Sequence, residues 1–146
     1  KYVRRKYVMS SRTIYITKPD MQKLRALIAG VQAGSPKPKT NLERLEKELD
    51  RAKLVSPQKI PKDVITMNSR VRVLDIESGE ESTYTIVFPS EANITSNKIS
   101  ILAPIGTALL GYRVGDIVDW EVPSGLKRLK IVETLYQPEA AGHFHL

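Results

Sequence analysis

Two runs decide the fold: Arg70-Val71-Arg72-Val73-Leu74-Asp75-Ile76 and, past the Ser78-Gly79 turn signal, Thr83-Tyr84-Thr85-Ile86-Val87-Phe88, which Pro89 stops. Alternation with β-branched and aromatic residues, broken by turn residues, is the pattern of paired strands. The same texture continues through Ile99–Leu102, Ile117–Val122 after the Val114-Gly115-Asp116 turn, and Leu126–Leu135 after Pro123-Ser124-Gly125. Between the third and fourth runs, Thr107–Gly111, led in by Pro104-Ile105-Gly106, reads as a short helix. Five strands in about 75 residues, mostly joined by tight turns, predict an antiparallel sheet curled over one helix.

Upstream the period changes. Met21, Leu24, Ile28 and Val31 recur at spacings of three and four, and Leu42, Leu45, Leu49 and Ala52 repeat them. Each set is an apolar stripe of the kind that joins two helices. Pro19 suits a helix start, and Gly34-Ser35-Pro36-Lys37-Pro38 breaks the first helix. Thr40 with Glu43 forms a capping box, and Ser56-Pro57 closes the second helix. The spacing predicts helices over Pro19–Ala33 and Asn41–Leu54 folded back as an antiparallel hairpin, each about 21 Å long at ~1.5 Å per residue. The expected class is therefore α+β: a basic segment over 1–12, a short coiled-coil hairpin over 13–56 and a β domain over 57–146.

Charge is distributed unevenly along the 146 residues. Residues 1–53 hold 14 Lys/Arg against 5 Asp/Glu, whereas 54–146 hold 9 against 11, which together give the net +7. A basic arm of this kind suits an acidic protein surface or non-specific nucleic-acid contact. With no cysteine, disulfides, thiolate metal sites and cysteine nucleophiles are excluded. No apolar run approaches the ~18 residues of a membrane span, and Lys1–Lys6 is not followed by a signal-peptide core. A soluble cytoplasmic protein, monomeric and without membrane contact, is expected. His143 and His145 are too few to close a metal site, and no catalytic constellation or cofactor fingerprint is present.

Several separated motifs carry a family resemblance. Val64-Ile65-Thr66-Met67-Asn68-Ser69-Arg70-Val71, Ala103-Pro104-Ile105-Gly106-Thr107-Ala108-Leu109-Leu110-Gly111, Val114-Gly115-Asp116 and Pro123-Ser124-Gly125 occur in the order of the Gre-type transcript cleavage factors' C-terminal domain, which they resemble. Asp50-Arg51-Ala52, Ser56-Pro57 and the tail Tyr136–Gly142 resemble the Rnk branch of that family, named for regulation of nucleoside diphosphate kinase. The resemblance implies an FKBP-like C-terminal domain that docks on the rim of the RNA polymerase secondary channel, with Asn68, Ser69, Pro104, Gly106, Leu109, Leu110, Gly111 and Asp116 as docking residues. Gre factors carry a longer coiled coil whose acidic tip helps hold a catalytic Mg²⁺, an ion that takes oxygen ligands. The tip here, Pro36, Lys37, Pro38 and Lys39 with their neighbours, has lysines and no carboxylate. The expectation is a non-enzymatic polymerase-binding regulator that does not stimulate transcript cleavage. The FKBP-like fold also prompts an alternative, a prolyl isomerase, for which the domain offers only Tyr84, Phe88, Tyr112 and Trp120 before its tail as aromatic lining.

Overall fold

The computed structural model describes residues 14–34, 40–122 and 125–143. The expected tip residues Pro36, Lys37, Pro38 and Lys39, the basic segment 1–12 and His145 lie outside them.

A strand outside the expected elements opens the described chain: β1, Tyr15–Thr17, leads directly into α1, Lys18–Gly34. The second helix, α2, spans Thr40–Arg51, one residue earlier at its start than the capping box implies. It also stops short of the expected end at Leu54. Lys53–Val55 forms β2 instead, in parallel register with β1, and the Lys53 amide donates to the Ile14 carbonyl at 2.9 Å. Leu54, expected inside a helix, is therefore an exposed strand residue.

The five expected strands are all present, as β3 (Arg70–Asp75), β4 (Glu81–Val87), β5 (Lys98–Ser100), β6 (Ile117–Val122) and β7 (Gly125–Tyr136). They order as β5-β4-β3-β7-β6 in one sheet. The sheet is mixed rather than purely antiparallel, because β5 runs parallel to β4. Residues 88–97 make this possible. Two 3-10 turns, Pro89–Glu91 and Ile94–Ser96, carry the chain back along the sheet edge, and Asn97, at φ +56°, turns it into β5. Asparagine tolerates that left-handed conformation because its short side chain bonds locally.

One helix, α3 (Pro104–Leu109), lies against the sheet, with Pro104 in its first turn, where a missing N–H is harmless. Val71, Val73, Ile86, Val118, Leu129 and Ile131 of the sheet form one buried cluster with Ile105 and Leu109 of α3. That cluster runs on without interruption through Ile65, Met67 and Tyr112 to Ile14, Ile16, Leu24, Ile28, Leu45 and Leu49. The two apolar stripes of α1 and α2 thus pack into the same core as the sheet. This answers the problem of stabilising two helices too short to stand alone in water.

Candidate functional site

The segment from Pro104 to Tyr112 joins all parts of the fold. Gly106 sits where a Cβ would strike the Ser100 carbonyl oxygen, so only glycine lets α3 lie directly on β5. The Thr107 hydroxyl donates to the Ile101 carbonyl at 2.7 Å and fixes the same contact. Gly111 has φ +86°, and a Cβ there would stand 2.8 Å from Ile14 Cβ. Its N–H donates to the Ile65 carbonyl at 2.8 Å, and its own carbonyl accepts from Tyr15 at 3.3 Å. Burial pushes the Tyr112 hydroxyl upward from its ordinary pKa, and that oxygen accepts from Arg51 of α2 at 2.9 Å.

The entry segment, Val64–Ser69, is held from two sides. Asn68 adopts φ +68°, and its amide donates to the Ile86 carbonyl. The Ser69 hydroxyl oxygen accepts from the Thr66 amide at 2.9 Å, and the Thr66 hydroxyl donates to Glu139 at 2.7 Å. From the other side, Asp20 in the first turn of α1 accepts from the Met67 amide at 3.3 Å. Asp20 is 3% exposed. Burial, and secondarily the nearby Glu139 carboxylate, push its pKa up to about 6. The tail is anchored by Gln137, also buried, whose amide donates to the Pro61 and Val64 carbonyls at 2.8 and 2.7 Å.

The expected docking residues separate into two groups on this geometry. Ser69, Gly106, Leu109, Leu110 and Gly111 are buried, so their side chains shape the domain and present nothing to a partner. Pro104 is exposed and Asn68 half-exposed. The backbone links their segments through β4, where the Ile86 carbonyl accepts from Asn68 and the adjacent Val87 carbonyl accepts from Ile101, three residues before α3. Asp116, half-exposed, belongs to another neighbourhood. Its carboxylate accepts from the Arg113 amide at 2.9 Å, and its carbonyl accepts from Ile131. There it pins the turn into β6, beside the Arg113–Asp63 ion pair at 3.1 Å.

The electrostatics of the helical pair also differ from a simple count. Lys18 and Lys23 are exposed, but Arg25 is paired with Asp50 of α2 at 2.8 Å. Asp20, the acid nearest in sequence to these cations, is turned into the core. Among the described residues, no group of three or more His, Asp or Glu side chains is placed to hold a metal ion. His143 is instead bonded to Tyr136, with 2.6 Å between Nδ1 and the hydroxyl oxygen. None of the described helices is long and apolar enough to cross a membrane.

Comparison with known proteins matches both parts of the chain. The family described as "Rnk N-terminus" matches residues 12–55, and "Transcription elongation factor, GreA/GreB, C-term" matches residues 60–136. The regulator of nucleoside diphosphate kinase of Escherichia coli K12 is 41% identical over 140 residues, covering 94% of this chain and 100% of that protein. The chain belongs to the Rnk branch of the Gre family. The transcription elongation factor GreA of Clostridium botulinum Alaska E43 is 42% identical over 90 residues, which are 62% of this chain and 56% of that factor. Among solved structures, a GreA/GreB elongation factor from Nitrosomonas europaea superposes with a TM-score of 0.71 at 40% identity, over 86% of this chain and 99% of that one. The mixed helix-and-sheet fold is thus a Gre-type fold.

The seam formed by Asp20, Thr66 and Glu139 is not legible in the sequence. Its signal was an acid inside an otherwise basic stretch, in the first turn of a helix, where a carboxylate is ordinarily favoured by the helix dipole in solvent. Nothing in the spacing tells an inward carboxylate from a solvated one.

Proposed function

We propose that this protein is a transcription regulator that binds RNA polymerase at the rim of its secondary channel and does not stimulate transcript cleavage. The β domain, 57–146, of FKBP-like type, supplies the docking surface, with Asn68 and Pro104 on one part of it and Asp116 on another, and the buried Ser69, Gly106, Leu109, Leu110 and Gly111 holding it in shape. The short antiparallel hairpin, 13–56, enters the channel mouth, with Pro36, Lys37, Pro38 and Lys39 at its tip. The observation that carries this reading is the pairing of a Gre-type C-terminal domain with a stretch from Met21 to Leu42 that contains no Asp or Glu. A tip without carboxylates has nothing to add to the ligand set of a channel Mg²⁺. The protein then acts by occupation, shutting out factors that use the same site. In this reading it acts as a monomer in the cytoplasm, and its influence on nucleoside diphosphate kinase, the enzyme in the name of its Escherichia coli relative, runs through transcription.

A purified, stalled elongation complex with backtracked RNA tests the cleavage half. Addition of the protein leaves cleavage at the polymerase's own rate, and addition together with a Gre-type factor lowers the stimulated rate. Stimulation by this protein alone would refute the reading of the tip.

A further inference from the structure

The sheet face turned away from the apolar cluster carries a row of side chains that this docking does not use. Lys98 stands opposite Thr85, Thr85 opposite Arg70, and Arg70 opposite Tyr136. Residues directly opposite in a regular ladder share a face, so β5, β4 and β3 place Lys98, Thr85 and Arg70 side by side, and a bulge between Arg70 and Val71 sets Tyr136 of β7 opposite Arg70 at the end of the row. At ~4.8 Å between strands the row is about 14 Å long. It ends in two rings, because the Tyr136 hydroxyl bonds His143 and the ring centroids are 5.9 Å apart at 41°.

The charge balance of the row sets it apart from the rest of the face. In the neighbouring row, Arg72 is paired with Glu133 at 2.8 Å and with Glu81 at 3.5 Å, so its charge is more than offset by the two acids. Arg70 and Lys98 are both exposed. No ion pair among the described residues involves either of them.

We propose that this row binds single-stranded polynucleotide, with phosphates on Lys98 and Arg70 and a base stacked on the Tyr136–His143 rings. An open sheet face with cations along it and aromatic rings at one end suits splayed bases, which stack with little regard to sequence. A duplex keeps its bases stacked inside and is read by elements that project into a groove, and the described residues of this face form strands rather than a projecting helix. An acidic peptide would meet the two cations and leave the rings idle.

Fluorescence anisotropy of the full chain with labelled oligo(U), oligo(dT) and a duplex of equal length tests the assignment. Both single strands bind, and the duplex binds more weakly. Arg70→Gln with Lys98→Gln lowers the affinity and flattens the slope of log K against log salt by about 1.4, the release from two phosphates at ~0.7 each. Tyr136→Ala weakens binding about fivefold to a hundredfold, as expected for one lost stacked base. Tyr136→Phe retains most of the affinity, and His143→Ala, at an exposed position, removes one ring even if Tyr136→Ala disturbs the strand. Lys18→Gln with Lys23→Gln, which removes the same charge from α1, leaves the affinity close to that of the wild type. Equal losses from the two double variants would overturn the proposal, as would tighter binding to the duplex. So would displacement of oligo(U) by polyglutamate as readily as by unlabelled oligo(U).

Discussion

Asp20 joins the helical pair to the β domain through a single carboxylate, and its burial gives that joint a pH dependence. Its pKa in the folded chain lies at about 6, above the ordinary value of 3.8. Between those values the folded state holds more protons than the unfolded one, so this group's contribution falls as pH rises from about 4 to about 6 and stays low above it. The groups facing it are Glu139, Lys23 and the Thr17 hydroxyl. Asp20→Asn, which keeps an oxygen for the Met67 amide, is predicted to be more stable than the wild type at pH 7.5 by at most about 3 kcal/mol, from ~1.4 kcal/mol per pKa unit. The difference narrows towards pH 4, and urea melts across that range measure it. Gly106 gives a second test at this scale. Gly106→Ala drives a methyl into the Ser100 carbonyl and is predicted to lose about 1–3 kcal/mol, the usual range for overpacking, read from the urea midpoint.

At the scale of elements, the strands with alternating side chains were legible within a residue or two at most ends, because one buried face imposes a period of two. What the sequence left hidden follows from the same physics. β1 and β2 have three residues each, too few for any period to register, and Lys53-Leu54-Val55 continues the apolar spacing of α2 closely enough to be read as helix. The direction of β5 is set by the turns over 88–97, and alternation looks the same in parallel and antiparallel neighbours. The expected docking residues rest on resemblance, which cannot separate a packing residue from a contact residue. Leu109 and Gly111 are buried, whereas Pro104 is exposed. The helical pair offers a prediction that ranks its two kinds of contact. Leu45→Ala, at a fully buried position in the shared core, is expected to lose about 2–5 kcal/mol. Arg25→Ala breaks the exposed pair with Asp50 and is expected to lose under ~1 kcal/mol. Parallel denaturant titrations of the two variants give the ranking, and a larger loss for Arg25→Ala would show that the ion pair holds the helices.

The whole molecule is a basic helical arm carried on a β domain of slightly negative net charge, with both built into one core. Complementary charge of this kind speeds encounter and selects partners more than it deepens affinity. Lys37→Glu with Lys39→Glu is therefore predicted to slow association with polymerase and flatten its salt dependence while leaving the fold intact. Association rates equal to the wild type across 50–300 mM salt, where the screening length falls from about 14 to 6 Å, would return those charges to a role in solubility. The central claim is that the β domain seats the chain where Gre factors sit, and competition tests it most directly. Labelled protein is titrated with RNA polymerase core, and an unlabelled Gre-type factor is then added at increasing concentration. The expected result is saturable binding that the Gre-type factor displaces completely, with Pro104→Glu weakening the complex. Saturable binding that the Gre-type factor leaves untouched would contradict it.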